Sequence, residues 1–107
     1  MRLKGLTVRW APNSLPWSRM GTSVGRRFGN AVRRNRVRRI LKELYRTRKD
    51  QFPQGVDMVF MPERGFLERH RGWQENTFAT AARRISSSYA RMQQADNRKL
   101  STSDGAV

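Results

Sequence analysis

Apolar and polar positions alternate along Leu6-Thr7-Val8-Arg9-Trp10, and this period of two predicts a half-buried strand. Ala11 to Ser18 carries two prolines and an Asn-Ser pair and reads as a connection. Arg19 to Val24 predicts a second strand, returning as a hairpin with the first. Gly25 to Gly29 is a basic, glycine-flanked turn. From Asn30 the period becomes helical. Val37, Ile40, Leu41 and Leu44 recur at three- and four-residue steps, so a helix runs from an Asn30 N-cap to about Lys49. Asp50 to Gly55, with Pro53, ends it. Val56 to Met61 is an apolar run of strand length stopped by Pro62, and Glu63 to Gly72 is a charged loop. Trp73 to about Gln94 predicts a second helix with Phe78, Ala81, Ala82, Ile85, Tyr89 and Met92 on one side. The order strand, strand, helix, strand, helix, without repeat or boundary, predicts a single two-layer α/β domain of the α+β class over 1–95. Residues 96–107 are polar and predict a disordered tail.

At about 100° per residue, the stripe of Val37, Ile40, Leu41 and Leu44 is the core face of the first helix. Asn35, Arg38, Arg39, Lys42, Arg46 and Lys49 gather on the opposite side, with Arg34 and Arg36 on the flanks. Arg38 to Lys42 and Lys42 to Arg46 are like-charge pairs four apart, each costing roughly 0.2–0.5 kcal/mol on an isolated helix. Only Glu43 offsets them. A row of phosphates would relieve the repulsion and release counterions.

Charge widens this reading from one helix to the whole chain. The 107 residues hold 23 Lys and Arg against 8 Asp and Glu, a formal net charge of +15. Such a balance points to an anionic partner: nucleic acid, membrane surface or acidic protein. Roughly half of the basic residues lie between Arg26 and Lys49, which favours nucleic acid over a merely solvated face. Arginine outnumbers lysine, which suits bidentate phosphate contact and stacking on bases. Arg26 and Arg27, just ahead of a helix start, make a candidate phosphate clamp. Trp10 and Trp17 are candidates for stacking on unpaired bases, with core packing the competing role.

Catalytic and metal chemistry find little support. The chain has no cysteine and one histidine, His70, so neither a disulfide nor a zinc site is expected. The acids form no evident general acid–base pair. No Gly-Lys-Ser/Thr follows Gly21, Gly25 and Gly29, so they are not a nucleotide-binding loop. No apolar run reaches the ~18 residues of a membrane span. The absence of cysteine fits the cytoplasm.

The run Arg19-x-Gly21-x-Ser23-Val24-x-Arg26-Arg27-x-Gly29-Asn30-Ala31-Val32-x-Arg34-Asn35-Arg36-Val37-Arg38-Arg39-Ile40-Leu41-Lys42-Glu43 resembles the core of the ribonuclease P protein family. The Arg34-Asn35-Arg36 triplet, followed by Arg38-Arg39, is its most distinctive part. The basic pair before Gly29-Asn30 is the second, and Asp57-Met58-Val59-Phe60 fits the strand that follows. The resemblance implies a protein subunit that binds a large catalytic RNA, which itself removes the 5′ leader from precursor tRNA. It implies Mg2+ on the RNA rather than on the protein, those two RNAs as partners, and neither DNA nor membrane.

Carried onto this chain, the resemblance gives Arg26, Arg27, Asn30, Arg34, Asn35, Arg36, Arg38 and Arg39 as RNA contacts, which Lys42 and Arg46 extend along the helix. Leu6, Val8 and Trp10 become the strand side of a cleft for the single-stranded leader. The implied fold is the family's α/β sandwich, with an unusual left-handed crossover through the basic helix. It departs from the family in lacking the helix and first strand that usually precede the segment at Leu6, and in Arg33, where an apolar residue is more common. A general or ribosomal RNA-binding protein would share the charge without needing this residue order. A helix-turn-helix module lacks a visible preceding helix, and a membrane-active helix would need the apolar face that the core takes.

Overall fold

In the computed structural model, residues 1–96 are described in full, and 97–106 by their backbone alone. The chain forms β1 (Arg2–Leu3), β2 (Leu6–Pro12), β3 (Arg19–Thr22), α1 (Ala31–Thr47), β4 (Val56–Pro62) and α2 (Arg71–Ala106). Single 3-10 turns at Arg26–Phe28 and Lys49–Gln51 bracket α1. Of the tail expected over 96–107, the backbone through Ala106 belongs to α2, and Val107 lies outside the described residues.

The sheet order is β1-β2-β4-β3. β2 pairs antiparallel with β4 along its whole length, from Leu6↔Pro62 to Pro12↔Val56. β3 pairs parallel with β4, from Arg19↔Asp57 to Thr22↔Phe60. The expected hairpin between the strands at Leu6 and Arg19 therefore does not form; β4 lies between them. β4 is the most apolar strand of the chain, and the central place buries Val56, Met58, Phe60 and Pro62. The connection from Asn13 to Ser18 is long enough to carry the chain across β4. A two-residue strand, β1, also stands ahead of the segment where the sequence pattern begins. It turns into β2 through Gly5, whose φ of +81° suits glycine and whose bare Cα faces the Trp73 ring.

Both helices pack on one face of the sheet. Leu6 and Val8 of β2, Val56, Met58 and Phe60 of β4, Val37, Leu41 and Leu44 of α1, and Phe78, Ala81, Ala82 and Ile85 of α2 close over one core. Phe60 is its centre. Its ring stacks on Phe78 of α2 at 4.8 Å and lies 6.2 Å from Tyr45 of α1 and 6.0 Å from Phe52. Ile40 packs against this core from its edge. Met92, expected on the core side of α2, is exposed, because by that point the helix has run beyond the buried cluster that ends near Tyr89.

The other sheet face is uncovered. Arg9 and Val59 are exposed there and Asp57 and Met61 half-exposed. Arg19 donates two hydrogen bonds to Asp57, at 2.8 and 2.7 Å, and the Asn13 amide donates a third at 2.9 Å. These donors hold the Asp57 carboxyl at about 2 against an ordinary 3.8, the Arg19 bonds contributing most.

Leu41→Ala is expected to cost about 2–5 kcal/mol in urea unfolding, the range for emptying a fully buried leucine site. The Asp57 cluster sets an acid limit. A carboxyl depressed in the folded state stabilises fully above 3.8, and that contribution drains away as pH falls toward about 2. Asp57→Asn is expected to flatten the change of urea midpoint across that interval; an unaltered profile would show the cluster to be irrelevant to acid stability.

Candidate nucleic-acid interface

The basic face of α1 is aimed by what lies on its opposite side. With Val37, Leu41 and Leu44 fully buried, the helix has one rotation open to it, and that rotation turns Asn35, Arg36, Arg39, Lys42 and Arg46 into solvent. Asn30 caps the helix as expected: its side-chain oxygen accepts from the Arg33 amide at 2.9 Å. The cap commits that oxygen, so Asn30 has its side-chain NH2 left for an anion. Arg26 and Arg27 are exposed on the preceding turn, which buried Phe28 anchors to the core.

Along the helix, Asn35, Arg38, Arg39, Lys42, Glu43 and Arg46 line one open groove of about 440 Å³. Arg38 donates to the Asn35 side chain at 2.8 Å, which spreads its guanidinium along the helix. Arg46 binds Glu43 through two bonds, at 3.1 and 2.6 Å, which raises its pKa and lowers that of Glu43. Arg26, Arg27, Arg36, Arg39 and Lys42 are exposed and have no ion-pair partner among the described residues. Arg34 is half-buried, and its Nε is shielded from water with no acceptor among the described residues. A buried donor without a partner is costly.

A second groove, of about 530 Å³, opens at the start of α1 between Arg27, Phe28, Gly29 and Arg33 and the loop residues Arg64, Gly65 and Glu68. Arg33 swings outward and pairs with Glu68. Arg64 was not legible as a site residue, since nothing local to Glu63–Gly72 shows that this loop returns to the start of α1. The turn signal of Gly65, with φ +94°, marks the bend but not its destination.

The three strand residues fall elsewhere. Leu6 and Val8 are completely buried and Trp10 is half-buried, set edge-on to Tyr89 at 6.3 Å. Leu6 and Val8 therefore cannot line a contact surface. Alternation puts Thr7, Arg9 and Ala11 on the uncovered face instead. Trp17 is 56% exposed. Among the described residues there is no cluster of three or more His, Asp or Glu able to hold a metal ion, and no helix long and apolar enough to cross a membrane.

Glu43→Gln releases Arg46 from its only ion pair among the described residues and is expected to tighten polyanion binding about two- to fivefold at low salt. The check is elution from a heparin column, where the variant should need more salt. Earlier elution would show that Glu43 positions the row rather than neutralising it.

Comparison with known proteins agrees with this geometry. The sequence model of the ribonuclease P family matches residues 1–92. The ribonuclease P protein component of Petrotoga mobilis is 41% identical over 65 residues, covering 61% of this chain and 55% of that protein. That of Pelotomaculum thermopropionicum is 50% identical over 63 residues, covering 59% and 56%. The chain thus spans about half the length of the curated relatives it matches. The structure of the Thermotoga maritima RNase P protein superimposes with a TM-score of 0.73 at 30% identity, covering 79% of this chain and 81% of that one. The Staphylococcus aureus RNase P protein shares the fold, with a TM-score of 0.66 at 21% identity over 80% and 78%. With the capped basic helix, the four-stranded sheet and a match over most of its length, the chain belongs to the ribonuclease P protein family.

Proposed function

We propose that this chain acts as the protein subunit of ribonuclease P, working beside a catalytic RNA in the bacterial cytoplasm. The observation that carries the reading is the outward face of α1, where exposed basic side chains stand at helical spacing over a fully apolar opposite face. Arg26, Arg27 and Asn30 at the start of the helix meet one phosphate. Arg34, Asn35, Arg36, Arg38, Arg39, Lys42 and Arg46 follow the backbone beyond it. Arginine forks suit phosphate oxygens, and each neutralised phosphate releases counterions.

In this reading the RNA performs the cut that frees the 5′ leader of precursor tRNA, and the magnesium ions belong to the RNA. The protein's work is to bind and to orient. The leader lies on the uncovered sheet face, along Thr7, Arg9 and Ala11, rather than against the buried Leu6 and Val8. Backbone and polar groups there suit a single strand without demanding one sequence.

The test is cleavage of precursor tRNA by a bacterial ribonuclease P RNA at low magnesium, with and without the chain. Added protein should rescue cleavage at the mature 5′ end. Arg36→Ala combined with Arg39→Ala should weaken binding to that RNA roughly tenfold or more, as the loss of two phosphate contacts requires. Binding without rescue would contradict the subunit role, and unaltered affinity of the double variant would contradict the docking face.

A further inference from the structure

Trp17, a candidate for base stacking from its sequence, has no part in the docking face of α1. Trp17 is 56% exposed and opens onto a cavity walled by further aromatic rings. The backbone that carries it is pinned on both sides. The Asn13 amide donates to the Trp17 carbonyl at 3.1 Å and to Asp57 at 2.9 Å. Ser18 Oγ donates to the Pro53 carbonyl at 2.7 Å and accepts from the Val56 amide at 3.1 Å. The ring is thus presented from a loop fixed to β4 and to the segment before it.

Beside Trp17 is a cavity of about 270 Å³ at the C-terminal end of α1, lined further by Tyr45, Phe52 and Pro53, with Lys49 and Asp50 at its polar side. Phe52 is buried and Tyr45 half-buried, and their rings lie 5.2 Å apart. Aromatic walls and two opposite charges do not fit a bare phosphate, which Asp50 would repel. They do fit a flat heteroaromatic ring carrying N–H donors, with a phosphate next to it for Lys49. The cavity also lies where the row Arg38, Lys42, Arg46 ends, so a strand laid along α1 delivers its next nucleotide there.

We propose that this cavity takes one unstacked base of a single-stranded RNA segment, with Trp17 as the stacking platform, Lys49 on the flanking phosphate and Asp50 on the base edge. The assignment rests on the RNA-docking role of α1. It adds a contact that counts bases out of the stack, not phosphates alone. Stacking of a base on an aromatic side chain tolerates any base and releases no counterions, whereas each arginine contact does release them.

That difference supplies the test. The full chain is titrated with a single-stranded oligoadenylate of about ten nucleotides, within the usual reach of single-strand binding sites, at several salt concentrations. Tryptophan emission and affinity are both read. Trp17→Ala is expected to lose about 5- to 100-fold in affinity with the salt slope intact. Trp17→Phe should regain most of the affinity while losing the quench, with Trp10 and Trp73 as the remaining fluorophores. Arg39→Ala should instead lower the slope by about one. If Arg39→Ala weakens binding and Trp17→Ala does not, the base site is wrong and the docking face stands. If neither weakens it, both fall. A Trp17→Ala loss accompanied by a reduced salt slope also overturns the stacking assignment.

Discussion

Burial of Phe60 beneath both helices is the constraint on which the rest depends. Phe60 lies on the central strand, and its ring meets Phe78 from α2, Tyr45 from α1 and Phe52 from the turn after α1. One side chain therefore joins the sheet to both helices above it and to the turn after α1. It also fixes the rotation of α1. Left alone, α1 would be a poor helix, with like charges stacked four residues apart and no acid in its first turn. Packing of Val37, Leu41 and Leu44 against the sheet stabilises it and holds the repelling side chains together on the outer face.

Most of the few acids are tied to arginines, within, beside or away from that face. Glu43 takes Arg46, Glu68 takes Arg33, Glu75 takes Arg48 and Arg71, and Asp57 takes Arg19. Such pairs between largely exposed groups contribute little to stability. Their effect is on the shape of the field. The middle of α1, from Arg34 to Lys42, keeps its positive charge, and the Arg33–Glu68 pair beside the helix start anchors the loop that brings Arg64 alongside. The same economy holds at Asp57, where Asn13 ties the Trp17 loop to β4 and Arg19 ties in the start of β3.

What was legible in the sequence is what local spacing determines. The Asn30 cap, the apolar stripe of α1, the alternation of β2 and the apolar run of β4 depend on neighbours within a few residues, and the structure has them where the pattern puts them. Strand order depends on pairings far apart in sequence, and the apolar β4 displaced β3 from β2. The helix–sheet packing also decided which side of β2 is buried. Alternation alone marks Leu6 and Val8 as one face, and that face went to the core, leaving a contact surface to Thr7, Arg9 and Ala11. The approach of Arg64 to Arg27 and the cavity beside Trp17 are made by loops returning over long distances, so no local pattern announces them. Met92 kept the helical period of its core neighbours but lies past the end of the buried cluster.

The central claim is that the core holds one face of α1 ready for RNA. Arginine modification by phenylglyoxal, mapped by mass spectrometry with and without a bacterial ribonuclease P RNA, tests it most directly. Arg83, Arg84 and Arg91 on α2 are exposed and serve as internal reference. The account predicts that the RNA protects Arg26, Arg27, Arg36 and Arg39 while leaving the α2 arginines reactive. Equal protection on both helices, or protection of α2 alone, would contradict it.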